Sequence, residues 1–189
     1  MSDVTRFLWV RHFPVAAKGI YIGQLDLDAV IPPSLPTIIL PDAAVWMTSP
    51  LKRARQTMEW LRPKGEIIPA PELMEQNFGA WEGKHYADIQ MDCTQAETIQ
   101  PPQGETFLDV TKRVHAWIER MLEQRTGQTL IAVCHAGPIR AALSHALAVP
   151  AAAALRFTVD YNSLSETVYL RHGEGNFGRV ERLNIATKT

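Results

Sequence analysis

The sequence predicts an α/β fold, a three-layer sandwich with a mostly parallel central sheet flanked by helices. Three observations lead there. Short runs rich in β-branched and aromatic residues recur at 5–10, 44–48, 66–69 and 129–134. Stretches with helical periodicity alternate with them. The composition, 46% hydrophobic and 21% charged, suits a chain that buries one substantial core. The 189 residues are expected to form a single domain, 1–189.

The elements follow in order. Residues 5–10 read as a short buried strand, which leaves Arg11 and His12 at its C-terminal end. A loop with Pro14, Gly19 and Gly23 comes next. Pro32, Pro33, Pro36 and Pro41 argue against a long regular helix over 31–41. Residues 44–48 form a second strand. Pro50 opens a helix that runs to about Leu61, since proline is tolerated in a first turn. Residues 66–69 are a third, short strand, 71–83 a loop, and 85–96 a weakly marked helix. Pro101-Pro102-Gln103-Gly104 is a turn. The clearest helix spans 106–125. Phe107, Val110, Val114, Trp117, Ile118, Met121 and Leu122 share one face, and Thr106 with Asp109 resembles a capping box. A buried strand at 129–134 leads into a helix at 138–147, and 164–170 and 179–183 are late strands.

The net charge of −1 points to no nucleic-acid or membrane surface. The apolar run at 7–10 is too short for a membrane span, so a cytoplasmic location is expected. Two cysteines, Cys93 and Cys134, make a disulfide framework unexpected, and zinc ligands at finger spacing are absent from the sequence.

Two strand ends present a histidine, in Val10-Arg11-His12 and Val133-Cys134-His135. Ligands gather at the carboxyl ends of strands in such sheets. Taken singly, each histidine is better explained by surface or core packing. The segment 49–57, Ser-Pro-Leu-Lys-Arg-Ala-Arg-Gln-Thr, puts basic side chains in the first turn of a helix. That position is unfavourable for the helix dipole unless an anion is bound there. A solvated face explains Lys52, whereas Arg53 reads as functional. Glu75 lies in a loop with aromatic residues and glycines, where a carboxyl group can act as an acid.

Together these stretches resemble the histidine phosphatase superfamily, with its phosphoglycerate-mutase-like fold. An Arg-His pair ends the first strand, and Ser-Pro-Leu-x-Arg-Ala-x-x-Thr stands at 49–57. Glu75 precedes Phe-Gly-x-Trp-Glu-Gly at 78–83, and His-x-Gly stands at 135–137. Tyr21 to Asp26 and Pro101 to Phe107 look like the alpha-ribazole phosphatases of cobalamin biosynthesis. The chain departs from the family at Phe13-Pro14, where glycine usually follows the nucleophile.

The resemblance implies a phosphomonoesterase that acts through a phosphohistidine on a small phosphate ester, with alpha-ribazole 5′-phosphate as one candidate. It makes His12 the nucleophile and Glu75 the proton donor. Arg11, Arg53 and His135 surround the phosphoryl oxygens, where charge stabilisation is the main requirement. Phe13, Gly23, Gln24 and Tyr86 are candidate substrate contacts, and Trp81 is more simply explained by core packing. The scheme implies neither metal nor cofactor.

Three alternatives stay open at this stage. Cys134 and Arg140 match the cysteine–five residues–arginine pattern of cysteine phosphatases. Pro138, however, lacks an N–H for a phosphate cradle. A phosphoglycerate-mutase-type phosphotransferase is the second alternative, although the segment between Gly83 and Gly104 is short for it. A non-catalytic phosphate sensor is the third.

Overall fold

A computed structural model describes residues 4–31, 40–61, 63, 65–173 and 175–186. Of the proline-rich stretch at 31–41, residues 32–39, with Pro32, Pro33 and Pro36, lie outside the described residues, and so does the expectation attached to them. Strand β1 (Val4–Arg11) is followed by β2 (Val45–Thr48), α1 (Lys52–Leu61) and β3 (Ile67–Pro69). After a long irregular stretch come α2 (Phe107–Gln124), β4 (Thr129–Cys134), α3 (Ala136–Leu147) and the short α4 (Ala151–Ala154). Strands β5 (Ser163–His172) and β6 (Gly175–Ala186) close the described chain.

The strands form one six-stranded sheet in the order β3-β2-β4-β1-β5-β6. The pairs β3–β2, β2–β4 and β4–β1 are parallel, and β5 runs antiparallel to both β1 and β6. The sheet is therefore mostly parallel, as expected. Its alternation assigns the two faces. Phe7, Trp9, Leu130, Ala132 and Cys134 point into a core shared with Val114, Trp117 and Ile118 of α2 and Ile139 of α3. Leu8, Val10, Ile131 and Val133 point the other way, onto Ala54 and Met58 of α1. Phe7 and Trp9 stack with ring centroids 5.4 Å apart, and Trp117 packs 5.9 Å from each.

Three sequence expectations need correction. The helix at 85–96 is absent, and the chain there makes only 3₁₀ turns at Tyr86–Asp88 and Cys93–Gln95. No apolar stripe rewards a helix in that stretch. The Tyr86 N–H is spent on the Gly19 carbonyl instead, and the Asp92 side chain accepts from Thr94 N–H. Helix α3 begins two residues early, at Ala136, so that Pro138 sits in its first turn. The last two strands are longer than their apolar cores suggest, because β6 is an edge strand with mostly exposed side chains. The capping box of α2 forms as expected: Thr106 Oγ1 accepts from Asp109 N–H at 3.1 Å, and Asp109 Oδ2 accepts from Thr106 N–H at 2.9 Å.

Candidate active site

Parallel register brings three strand ends together. Arg11 pairs with Cys134, and Thr48 pairs with Val133. The next residues, His12, His135 and Ser49, therefore leave the sheet side by side. The imidazoles of His12 and His135 lie 4.8 Å apart between ring centroids.

His12 is oriented from both sides. Its Nδ1 lies 2.5 Å from the Phe13 carbonyl oxygen, which can only accept, so Nδ1 carries the proton. Its Nε2 accepts a hydrogen bond from Arg53 Nε at 3.2 Å, which places the ring's lone pair on Nε2. Burial, and then the guanidinium of Arg53, hold the His12 pKa well below the ordinary imidazole value. Arg53 is buried in α1 and is itself held by two carbonyls, Leu25 O at 2.7 Å and Gly23 O at 2.6 Å. Gly23 adopts φ +51°, and a Cβ there would meet Glu82 Oε1 at 2.3 Å. Glycine is therefore needed for the loop that grips Arg53.

His135 caps the N-terminus of α3 in extended conformation. Its Nε2 lies 2.8 Å from Ser49 Oγ, and its Nδ1 is buried with no hydrogen-bond partner among the described residues. Burial, then the neighbouring His12, keep its pKa well below the ordinary value. Arg11 donates to Val159 O at 2.6 Å, and its guanidinium carbon stands 3.6 Å over the Tyr161 ring. Glu75 Oε1 accepts from the backbone N–H groups of Gln76 and Gly137, each at 3.0 Å. Arg11, His12, Arg53 and Glu75 line one cavity of about 80 Å³, with Gly23, Phe78, Tyr86 and Tyr161 around it.

A family model described as the histidine phosphatase superfamily (branch 1) matches residues 39–185. The chain belongs to the histidine phosphatase superfamily. The matched span includes Arg53, Glu75 and His135, and it begins after His12. The adenosylcobalamin/alpha-ribazole phosphatase of Salmonella typhimurium is 33% identical over 125 residues, 60% of this chain and 61% of that protein. A bifunctional protein of Mycobacterium tuberculosis is 32% identical over 148 residues, 74% of this chain but 41% of the relative. The chain thus spans between two fifths and about three fifths of the length of these relatives. A solved structure of a proposed alpha-ribazole-5′-P phosphatase from Escherichia coli superposes with a TM-score of 0.80 at 23% identity, covering 98% of each chain. That likeness concerns the fold alone.

In this histidine phosphatase fold the sequence-predicted residues divide. Arg11, His12, Arg53, Glu75, Gly23 and Tyr86 meet at the cavity, with the buried His135 packed against His12. Tyr86 is 54% exposed and stands at the rim. Phe13 does not line the pocket. It is fully buried, edge-on to Trp60 at 5.4 Å, because its backbone N–H donates to Thr57 Oγ1 and turns the ring away from the cavity. Gln24 also stands outside the lining, and its side chain donates to the Glu75 carbonyl at 3.1 Å. Trp81 packs on Tyr21 at 5.6 Å.

The other acids of the Glu75 loop have structural partners. Glu82 Oε1 accepts from Gln24 and Phe78 N–H, and Glu72 pairs with Arg120. Cys134 points into the core with no exposed surface, and burial pushes its thiol pKa up. Arg140 donates to the Phe157 carbonyl instead of facing a phosphate loop.

Sequence reasoning missed Tyr161 and the role of Ser49. Tyr161 packs edge-on to His12 at 5.4 Å and under Arg11. No local pattern marks it, since it comes from the turn before β5. Ser49 was visible as the first residue of the motif at 49–57, and that position was the available signal.

Proposed function

We propose that this chain is a phosphomonoesterase in which His12 Nε2 attacks phosphorus. The observation that carries the reading is the orientation of His12: neutral, with Nδ1–H on a carbonyl and the Nε2 lone pair beside Arg53 in the cavity. In the first step a P–N bond forms and the bond from phosphorus to the leaving oxygen breaks, while Glu75 gives that oxygen a proton. In the second step Glu75 takes a proton from water, the water oxygen attacks the phosphohistidine, and phosphate leaves with His12 restored. Arg11 and Arg53 bind the equatorial oxygens, where most of the stabilisation is needed. Each retains N–H groups beyond those given to carbonyls and His12, since a guanidinium has five. Buried, uncharged His135 packs against His12 from outside the cavity lining, with no exposed surface to meet the phosphoryl oxygens, in contrast to the sequence expectation.

The small cavity suits the phosphoryl group, and the leaving group would lie at the rim between Tyr86 and Tyr161. Two aromatic rings there fit a leaving group with an apolar or aromatic part. That agrees with alpha-ribazole 5′-phosphate as the first substrate to try, the name of the Salmonella relative giving the same direction.

Turnover of a panel of phosphomonoesters that includes alpha-ribazole 5′-phosphate tests the reading. His12→Ala should abolish turnover and the acid-labile phosphoenzyme trapped from the wild type. Cys134→Ser should keep most of both. Loss confined to Cys134→Ser, or a trapped intermediate that survives in His12→Ala, would reject His12 as the nucleophile.

A further inference from the structure

Glu75 is carried by an irregular segment, and the main-chain groups around it are held largely by two side chains. Arg113, on α2, donates from Nη1 to the Glu72 carbonyl at 2.5 Å and from Nη2 to the Glu75 carbonyl at 3.2 Å. The same guanidinium is forked onto Glu105, with Nε to Oε1 at 2.9 Å and Nη2 to Oε2 at 3.1 Å. Glu105 in turn grips the other side of the segment. Its Oε2 accepts from Asn77 N–H at 2.9 Å, its N–H donates to Asn77 O at 2.8 Å, and its carbonyl accepts from Gln76 Nε2 at 2.7 Å. The Glu75 backbone is thus bracketed on both sides by one ion pair. Gly104 permits the close approach, because a Cβ there would stand 2.5 Å from Asn77 O. Glu105 and Gly104 belong to the 101–107 motif, to which the reaction scheme gives no role.

We propose that Arg113, oriented by Glu105, is a positioning residue that sets the place of the Glu75 carboxyl group relative to His12 and the leaving oxygen. The proposal rests on the reading of Glu75 as the proton donor. Arginine is required because one planar fork serves two carbonyls and a carboxylate at once, and a lysine ammonium cannot span them. A misplaced acid costs most where the leaving group needs a proton and least where it leaves unaided.

The test uses Arg113→Lys and Glu105→Gln, with Glu75→Gln in parallel. Two first-step quantities are read: the single-turnover rate of ribose release from an alkyl phosphate, ribose 5-phosphate, and the pre-steady-state burst of p-nitrophenol from p-nitrophenyl phosphate. Arg113→Lys and Glu105→Gln should slow the alkyl ester roughly 10–100-fold. The burst should slow by at most about 3-fold, because proton donation matters little to p-nitrophenolate. Glu75→Gln should show the same selectivity, more strongly. If Glu75→Gln is selective and the two clamp variants slow both reactions alike or neither, the clamp proposal fails and the acid reading stands. If Glu75→Gln is itself unselective, both fail. Thermal unfolding controls for folding, and unfolding of both clamp variants at the assay temperature would reduce the pair to a structural role and overturn the proposal.

Discussion

At the scale of single residues, the decisive feature is the direction of one lone pair. A histidine at a strand end is ordinary. His12 differs because the Phe13 carbonyl takes its Nδ1 proton and Arg53 faces its Nε2. Burial disfavours the charged imidazole most, and the cation beside the acceptor nitrogen adds to the effect. His12, the proposed nucleophile, is therefore held neutral, at the cost of a buried guanidinium. An NMR titration of the ¹⁵N-labelled imidazoles tests this directly. His12 should keep its proton on Nδ1 and stay neutral as the pH falls through about 6.5, the ordinary imidazole value. A His12 that is already charged at pH 7, or that carries its proton on Nε2, would contradict the geometry.

At the scale of elements, the site is made where parallel strands end and helices begin. β1, β2 and β4 deliver His12, Ser49 and His135, and α1 and α3 start directly beside them. The first turn of α3 also holds Glu75, through the Gly137 N–H. Gly137 has a steric reason as well, since a Cβ there would lie 2.2 Å from Glu75 Oε1. Gly137→Ala therefore has opposite expected effects on fold and function. Alanine is the better helix former by up to about 1 kcal/mol, and the atom in its way is the end of a flexible side chain. The melting temperature should hold or rise, while turnover of ribose 5-phosphate falls at least ~10-fold because the carboxyl group is pushed aside. Unchanged turnover, measured alongside the melt, would show that Glu75 does not act from this position.

At the scale of the whole molecule, the same burial makes stability depend on pH. His12 and His135 lie inside the site, and His115 lies between α2 and α3, where its Nε2 meets Ala141 O and Ser144 Oγ. All three have pKa values lowered, with burial the largest cause in each. Between the ordinary imidazole value and the lower folded one, the unfolded chain binds more protons. Stability is then fully present above about pH 6.5 and is lost as the pH falls through that window, by up to about 1.4 kcal/mol per pH unit for each histidine. The lowered carboxyls of Asp92 and Asp109 act only below their ordinary value of 3.8, so they do not obscure this range. Urea unfolding at pH 7.5, 6.5 and 5.5 should show a falling midpoint with an unchanged m-value. A midpoint that is flat or rises on acidification would contradict the burial of these rings as neutral groups.

The sequence by itself determined the alternation of strands and helices, the capped helix α2, and the strand-end placing of His12 and His135. These are local matters: β-branched runs, a helical stripe from Phe107 to Leu122, and a Thr106–Asp109 cap, each legible within a few residues. The basic first turn of a helix singled out Arg53, an aromatic, glycine-containing loop pointed weakly to Glu75, and the family resemblance then gave both their expected roles. Only the tertiary structure decided which atoms face each other. Phe13 went to the core and Tyr161 came to the cavity because backbone hydrogen bonds far apart in sequence turn those segments, Phe13 N–H to Thr57 and Asn162 N–H to Arg11 O. The long stretch between β3 and α2 follows the same rule. It has no periodicity to read, and its shape is set by partners such as Arg113 and Glu105, which pair with it through contacts that no local pattern encodes.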